Sequence, residues 1–490
     1  MKKKLFFSLL SAALSLLPLQ VSAKAECPFT MPDVAQPKIP KYEVSVTDFG
    51  GVGDGGTLNT EAFAKAMKAL SDKGGGRLNV PSGIWLTGPI QFENNCELHV
   101  KRGALVLFTT DFDAYPEVTV VFEGKSAKRR MSPLWAYEKH DVAITGHGGF
   151  DGQGEHWRPS KKGKFTTNQW KELTSGDGIE QNNIWYPNAK NDDQKGKPGA
   201  PDLRRVNGRP TLLEFTRCKR VLLKDITLSN SPSWNTHPLM CEDFTMDGVT
   251  VRNPWYAQNG DGLDLESANR AIIRDCVFDV GDDAICIKSG KDAEGRSWKK
   301  PCQNVIIEDC TVLHGHGGFV IGSEMSSGAR NIWVHNCVFN GTDTGLRMKS
   351  TRGRGGVVEK IYIEKINMVN IAGDAFTLDL YYANKPATGK ADADSDKSGD
   401  VQPVTEETPS FRDIHISKVV CQGAGRAIWI NGLPEMPLSN LTMKNCLFVA
   451  KKGAELHYAK DINFKQVTIT NSVGDAISTD ATVKGFKTTK

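Results

Sequence analysis

The sequence predicts an all-β protein: a right-handed parallel β-helix closed at its N-terminal end by a single helix. Two repeat columns and one amphipathic stretch carry that prediction. The first column is four segments that can be laid under one another. They are Gly260-Asp261-Gly262-Leu263-Asp264-Leu265-Glu266-Ser267, Asp282-Asp283-Ala284-Ile285-Cys286-Ile287-Lys288-Ser289, His316-Gly317-Gly318-Phe319-Val320-Ile321-Gly322-Ser323 and Asp343-Thr344-Gly345-Leu346-Arg347-Met348-Lys349-Ser350, with the serines 22, 34 and 27 residues apart. Each has a small residue followed by apolar residues at alternate positions, such as Leu263/Leu265 and Ile285/Ile287. Period-two alternation marks a strand with one buried face, and the positions between are expected to face outward. The second column is Ile226, Val249, Cys276, Cys310, Cys337, Ile366, Val419, Cys446 and Val467, spaced 23, 27, 34, 27, 29, 53, 27 and 21 residues. A repeat of this length, built of strands and lacking a leucine framework, winds one coil per repeat.

The helix comes ahead of the repeats. Ala62, Phe63, Ala66, Met67 and Leu70 recur at helical spacing, with Asn59 or Thr60 as the cap and Gly74-Gly75-Gly76 as the stop. Such a helix covers the strand edges that the first coil leaves open.

The flanking segments follow in order. Lys2-Lys3-Lys4, the apolar residues 5–19 and Val21-Ser22-Ala23 read as a secretory signal, 1–23, cleaved to leave 24–490 as one β-helix domain. The protein is therefore expected in the periplasm or outside the cell, as a monomer. The apolar core is too short for an anchor, and no other stretch could span a membrane. Residues 24–45 look like an extended lead-in. Three polar stretches interrupt the repeat, near 154–208, 291–303 and 384–409, and read as loops that flank a cleft. The first of them carries Trp157, Trp170, Trp185 and Tyr186.

The formal charge is +4, with no long basic run and no nucleic-acid motif. The 11 cysteines show no zinc-ligand spacing, so neither a metal nor another cofactor is expected. Cys276, Cys310 and Cys337 fall on successive coils, about 4.8 Å apart. They are expected to be buried free thiols rather than disulfides.

Stacking also gathers polar groups. Asp261 precedes one strand, Asp282 and Asp283 the next and His316 the third, while Arg347 and Lys349 lie on the fourth. At about 4.8 Å per coil these groups span about 15 Å. Three crowded carboxylates cannot all ionise normally, so one should hold a proton and serve as an acid. An acid and a base carboxylate are the apparatus of glycoside hydrolysis. Arg347 and Lys349 suit a substrate carboxylate.

Asn259-Gly260-Asp261, Gly281-Asp282-Asp283, Gly315-His316-Gly317 and Arg347-Met348-Lys349, in that order, resemble the signature motifs of glycoside hydrolase family 28, the polygalacturonases. The similarity runs from about residue 44 to the C-terminus. It implies the pectin lyase-like β-helix and inverting hydrolysis of α-1,4-linked galacturonic acid in pectic polysaccharide or oligogalacturonides. It implies Asp282 as general acid, Asp261 and Asp283 as holders of the attacking water, and His316 as the residue that tunes the acid. Arg347 and Lys349 would bind a uronate, and Tyr382 matches a substrate-binding tyrosine of the family. Asn259 and Lys288, within the same segments, are expected among the substrate contacts. The family commonly has Thr at Gly260 and Ile at Met348.

The stretch Ser231-Pro232-Ser233-Trp234-Asn235-Thr236-His237-Pro238 resembles bacterial exo-acting members. It lies one coil before Asp261, so Trp234 and His237 are expected to form a closed terminal subsite. Competing readings are a rhamnogalacturonan or xylogalacturonan hydrolase, a pectate lyase and a non-enzymatic glycan-binding β-helix. The aspartate triplet with His316 argues against the lyase, and Arg347 with Lys349 favours uniform galacturonate.

Overall fold

In the computed structural model, residues 26–176, 178–187, 203–382 and 401–489 are described. The predicted leader 1–23 lies outside them, as do residues 188–202 and 384–400 of two predicted insertions. The chain winds into a parallel β-helix of three sheets, as expected. Sheet A stacks Leu78, Leu98, Ile144, Leu223, Met246, Ile273, Ile307, Val334, Ile363, Ile416, Met443 and Phe464 in one inward column. Sheet B stacks Val106, Phe150, Leu228, Val251, Phe278, Val312, Phe339, Met368, Cys421 and Phe448. Sheet C, which carries the four aligned segments, stacks Leu265, Ile287, Ile321, Met348, Leu378, Ile430 and Leu456. All of these side chains are buried and join one core.

A left-handed residue makes the corner between sheets A and B on coil after coil. Asp225, Asp275, Asp309, Asn336, Lys365, Lys418, Asn445 and Gln466 all have φ between 52° and 58°. Asp and Asn enter this region most readily among residues with a side chain. The next residue is then aimed inward, and that is the second repeat column. Its cysteines are buried, and all eleven cysteines of the chain are free. At the corner before sheet C the small residues answer to a close approach. A Cβ on Gly318 would lie 2.6 Å from the Phe339 ring, and one on Gly345 would lie 2.1 Å from the Met368 sulfur.

Helix α1 (Thr60–Asp72) buries the predicted face, Ala62, Phe63, Ala66, Met67 and Leu70, over the first coil. Asn59 precedes it but its side chain does not cap it. The amide instead clamps the incoming turn, accepting from the Val52 N–H and donating to the carbonyls of Val52, Thr57 and Leu86.

The lead-in is a strap along the outer face of sheet A. Phe29 packs against Tyr362 with ring centroids 6.0 Å apart, Gln36 donates to Thr245 Oγ1, and the Lys38 N–H donates to Asp141. The outward row beneath it runs Thr245, Ile272, Ile306, Trp333, Tyr362.

The interruptions are more ordered than their composition suggests. The 154–208 insertion holds α2 (Thr167–Leu173), with a Thr166/Gln169 capping box, and a small antiparallel sheet, Ser160–Lys161, Ile184–Tyr186 and Ile179–Gln181. It ends in α3 (Leu203–Gly208). The stretch expected as a polar loop at 291–303 forms α4 (Asp292–Trp298). A further wall was not anticipated: an antiparallel hairpin of Glu117–Phe122 and Lys125–Arg130. Glu123 (φ 50°) and Gly124 (φ 69°) turn it, the two left-handed residues that a tight hairpin requires. The hairpin leans on α4, where Glu294 accepts from Ser126 and Asp292 pairs with Lys125 at 2.8 Å. Among the described residues, no helix is long and apolar enough to cross a membrane.

Candidate active site

Broken corners between sheets B and C position the acidic groups. The turn from Ala257 to Gly260 is closed by a backbone hydrogen bond of 3.2 Å. A Cβ on Gly260 would lie 2.6 Å from that of Ala257, so the turn that presents Asp261 has no space for the family's usual threonine in this conformation. On the next coil Gly281 abuts the carbonyls of Pro254 and Ala257, and Asp282 and Asp283 follow. His316 is hung from them by its backbone N–H, which donates to the Asp282 carbonyl at 2.8 Å.

The side chains converge. One oxygen from each of Asp261, Asp282 and Asp283 lies within 4.8 Å of the others. His316 Nδ1 sits 3.0 Å from Asp282 Oδ1. Lys349 donates to Asp283 at 2.7 Å and Arg347 at 3.3 Å. The Tyr382 ring lies 4.9 Å from Lys349 Nζ and 5.6 Å from the Arg347 guanidinium, and Tyr382 is 41% exposed. These residues form one patch, as the in-register alignment requires.

Other expected contacts are placed differently. His237 is fully buried, held between Glu214 and Glu266 at 2.8 Å on either side. Trp234 is buried too, against Phe122 of the hairpin and over His237. Neither lines an open subsite, because the hairpin roofs this part of sheet C. Lys288 is likewise covered, paired with Glu324 at 2.9 Å and Asp264 at 3.5 Å, with its ammonium 4.9 Å from the Trp234 ring. The outward row is thus outward from the coil yet sealed: Asp264 and Glu266 have no exposed surface. Asn259 accepts from Arg209 Nη2 at 3.2 Å, which ties the Asp261 turn to the end of α3.

Each ionisation has a cause. Burial pushes the Asp261 carboxyl well up, and Asp264 and Asp282 beside it add to the effect. Burial also lifts Asp264 to about 7, despite Lys288 and His237. Burial alone would raise Asp283, but Lys349, Arg347 and Lys288 outweigh it and hold the carboxylate at about 2. Burial works against a charge on His237, yet Glu214 and Glu266 hold its imidazolium up to about 10. The hydrogen bond to Asp282 raises His316. The proton demanded by crowding therefore falls first on Asp261, which is buried like Asp283 but lacks its Lys349 and Arg347 partners.

Sequence reasoning missed the buried polar layer beneath the site: Glu214, Asp264, Glu266 and Glu324. Asp264 and Glu266 were visible as acidic residues at both variable positions of one strand. Glu214, on the regular strand Leu213–Thr216, lies outside the four aligned segments, and Glu324 lies just beyond the third of them.

The glycosyl hydrolases family 28 model matches residues 174–405. The crystal structure of a hyperthermoactive exopolygalacturonase from Thermotoga maritima is similar over 89% of this chain and 94% of its own, at 32% identity and a TM-score of 0.74. The chain belongs to glycosyl hydrolases family 28. It is a glycoside hydrolase. An exo-poly-alpha-D-galacturonosidase of Dickeya chrysanthemi is 26% identical over 452 residues, covering 88% of this chain and 71% of that relative. A family 28 exopolygalacturonase of Yersinia enterocolitica shares the fold, with a TM-score of 0.72 at 22% identity over 91% of this chain and 78% of its own.

Proposed function

We propose that this family 28 enzyme removes galacturonic acid from the non-reducing end of α-1,4-galacturonan, with inversion. The observation that carries the chemistry is the convergence of three carboxylates, with Asp261 raised and Asp283 held ionised, beside two cations. Asp282 is the general acid: it reaches the cleft and is backed by His316. Asp261 is the base. A carboxyl raised by burial is a strong proton acceptor once ionised. Within the cluster one proton is shared; delivered through Asp282 to the glycosidic oxygen, it leaves Asp261 free to take a proton from water. Asp283, held ionised, orients that water. Arg347, Lys349 and Tyr382 receive a uronate.

The carboxylate spacing needs comment, because inverting glycosidases generally separate acid and base by about 6.5–9.5 Å. Here the nearest oxygens are within 4.8 Å. One water with hydrogen bonds of about 2.8 Å bridges oxygens up to about 5.5 Å apart, so a water fits. A covalent nucleophile fits less well. Asp283 is buried in its ion pairs, and Asp261 is buried and prone to protonation. Proton NMR of the first product decides: the β-anomer is expected from the α-linkage, and the α-anomer overturns inversion.

Exo action is supported by the roof. Phe122 of the hairpin Glu117–Arg130 covers Trp234, on the coil before Asp261, and α4 braces the hairpin through Asp292 and Lys125, so bulk stands over the coil that precedes the acids. A time course on long polygalacturonate should release monomer from the first minutes with slow loss of viscosity. Early mixed oligomers and a rapid viscosity drop would show an open groove. We further propose export as a monomer, with mature protein starting at Lys24; its mass spectrum tests the leader.

A further inference from the structure

His316 has two edges, and they face different spaces. Its Nδ1 edge meets Asp282 in the sugar cleft. Its Nε2 edge looks into a separate side groove of about 1110 Å³, lined by Lys164, Asn253, Trp255, His314, His316 and Asp343 among others, and by none of the three catalytic carboxylates. Two groups of opposite charge approach Nε2 there. Lys164 Nζ is 3.3 Å away and Asp343 Oδ2 is 3.7 Å away.

Both are placed by the fold. Residues Gly315 and Gly317 pair with Thr342 and Thr344, which sets Asp343 one coil beyond His316 in register. Lys164 comes from the 154–208 insertion. The following residue, Phe165, anchors it against Tyr256 at 4.8 Å and Trp170 at 5.9 Å.

We propose that Lys164 and Asp343 are opposed positioning residues that set the proton on His316, and through it on Asp282, from outside the sugar cleft. This rests on Asp282 being the acid. When Nε2 accepts from the Lys164 ammonium, the ring's one proton is on Nδ1 and points at Asp282 Oδ1, so that oxygen accepts and cannot carry the acid proton, and the nearby cation opposes a further proton on either group. When Nε2–H turns to Asp343, the ring either carries a second proton or leaves Nδ1 free to accept the acid proton of Asp282. Lys164 thus disfavours the proton that the acid needs, and Asp343 favours it. The charged neighbours of His316 are Asp282 and Asp283 from the preceding coil, Asp343 from the following one and Lys164 from the insertion. His314, on the same strand, is engaged with Asp279 at 2.8 Å.

The groove also gives the pair a solvent route while sugar fills the cleft. Each turnover moves one proton from Asp282 to the leaving oxygen, and the base takes one from water. The cluster thus regains its shared proton within the turnover, and the side groove exchanges protons with solvent only to set the ionisation of His316.

The test is the alkaline limb of the kcat profile, read on the full-length enzyme. Lys164→Met should move that limb up by about half a pH unit, and Asp343→Asn should move it down by about as much. Lys164→Arg keeps the cation and should leave it in place. A merely structural role gives no opposite shifts. The proposal is overturned if both limbs stay put, or move the same way, while His316→Asn and Asp282→Asn still cripple turnover. If His316→Asn and Asp282→Asn turn over normally, the assignment of the acid fails and takes this inference with it.

Discussion

The coils of residues 258–350 and those of residues 410–479 share one inward ladder but differ at the corner between sheets B and C. Leu265, Ile287, Ile321 and Met348 continue without a break into Leu378, Ile430 and Leu456. In the first region the strands of sheets B and C are separate on the Asp282 coil, where Val277–Asp279 ends, residues 280–284 turn and Ile285–Lys288 begins, while Thr311–Ile321 carries His316 without a break. In the second, Val420–Asn431, Leu438–His457 and Ala459–Thr479 run as unbroken strands through the same corner. The outward row differs too. Asp264, Glu266 and Lys288 have little or no exposed surface, whereas Trp429, Asn431, Glu455 and His457 are half-exposed. The core thus specifies a solenoid and nothing more. Chemistry appears where a corner is interrupted enough to carry carboxylates and where an insertion excludes water from them.

The sharpest way to separate the regions is to change one outward acid in each. Asp282→Asn should lower kcat by roughly 10²–10⁴-fold with unchanged melting. Glu455→Gln, on sheet C and paired with Arg426 at 3.5 Å, should leave kcat as it is. A variant at 282 with a tenth of the parent activity sinks the assignment. Next, equal damage to the shared ladder: Leu265→Ala and Leu456→Ala should each destabilise by about 2–5 kcal/mol, measured by chemical denaturation. Markedly unequal losses would show that the core is not uniform.

Lys349→Ala probes the charge layer alone. Without its ammonium the Asp283 carboxylate is no longer held near 2, so its pKa rises. The acid limb of kcat/KM should move to higher pH, with kcat/KM at neutral pH down by about 10-fold or more. An unmoved limb removes Asp283 from the essential ionised groups. The smallest effect concerns stability. Asp264 is raised in the folded state, so its contribution is fully present below about pH 4 and is lost as pH climbs through about 7. Asp264→Asn should therefore stabilise the enzyme by about 1 kcal/mol at pH 8 relative to the parent, and less at pH 5. Thermal melts at both pH values check the sign.

The sequence made the ladder legible because a solenoid repeats its constraints: the serine row, the small corner residues and the cysteine column each recur on successive coils. The carboxylates were legible for the same reason, since Asp261, Asp282 and His316 occupy equivalent corners. The hairpin of residues 117–130 went unseen although Glu123-Gly124 is a turn signal between β-rich stretches. It occurs once, so no register exposes it. Lys164 was beyond reach because an insertion is placed by aromatic contacts, Phe165 on Tyr256, that no spacing encodes. His237 was misplaced as a sugar contact because strand alternation reports which way a side chain leaves the backbone, and not what lies above it.

The N-terminal strap has a consequence for the order of assembly. Coils can add one after another as the chain emerges, since each needs only its predecessor. The strap differs. Gln36 meets a partner 209 positions away, and Phe29 meets Tyr362. It therefore cannot settle until residue 362 has been made and its coil is in place, and closing so long a loop is slow. In that interval the row of Ile272, Ile306 and Trp333 stands uncovered, open to chaperones or to other nascent chains. The earliest synthesised part of the described structure is among the last to dock.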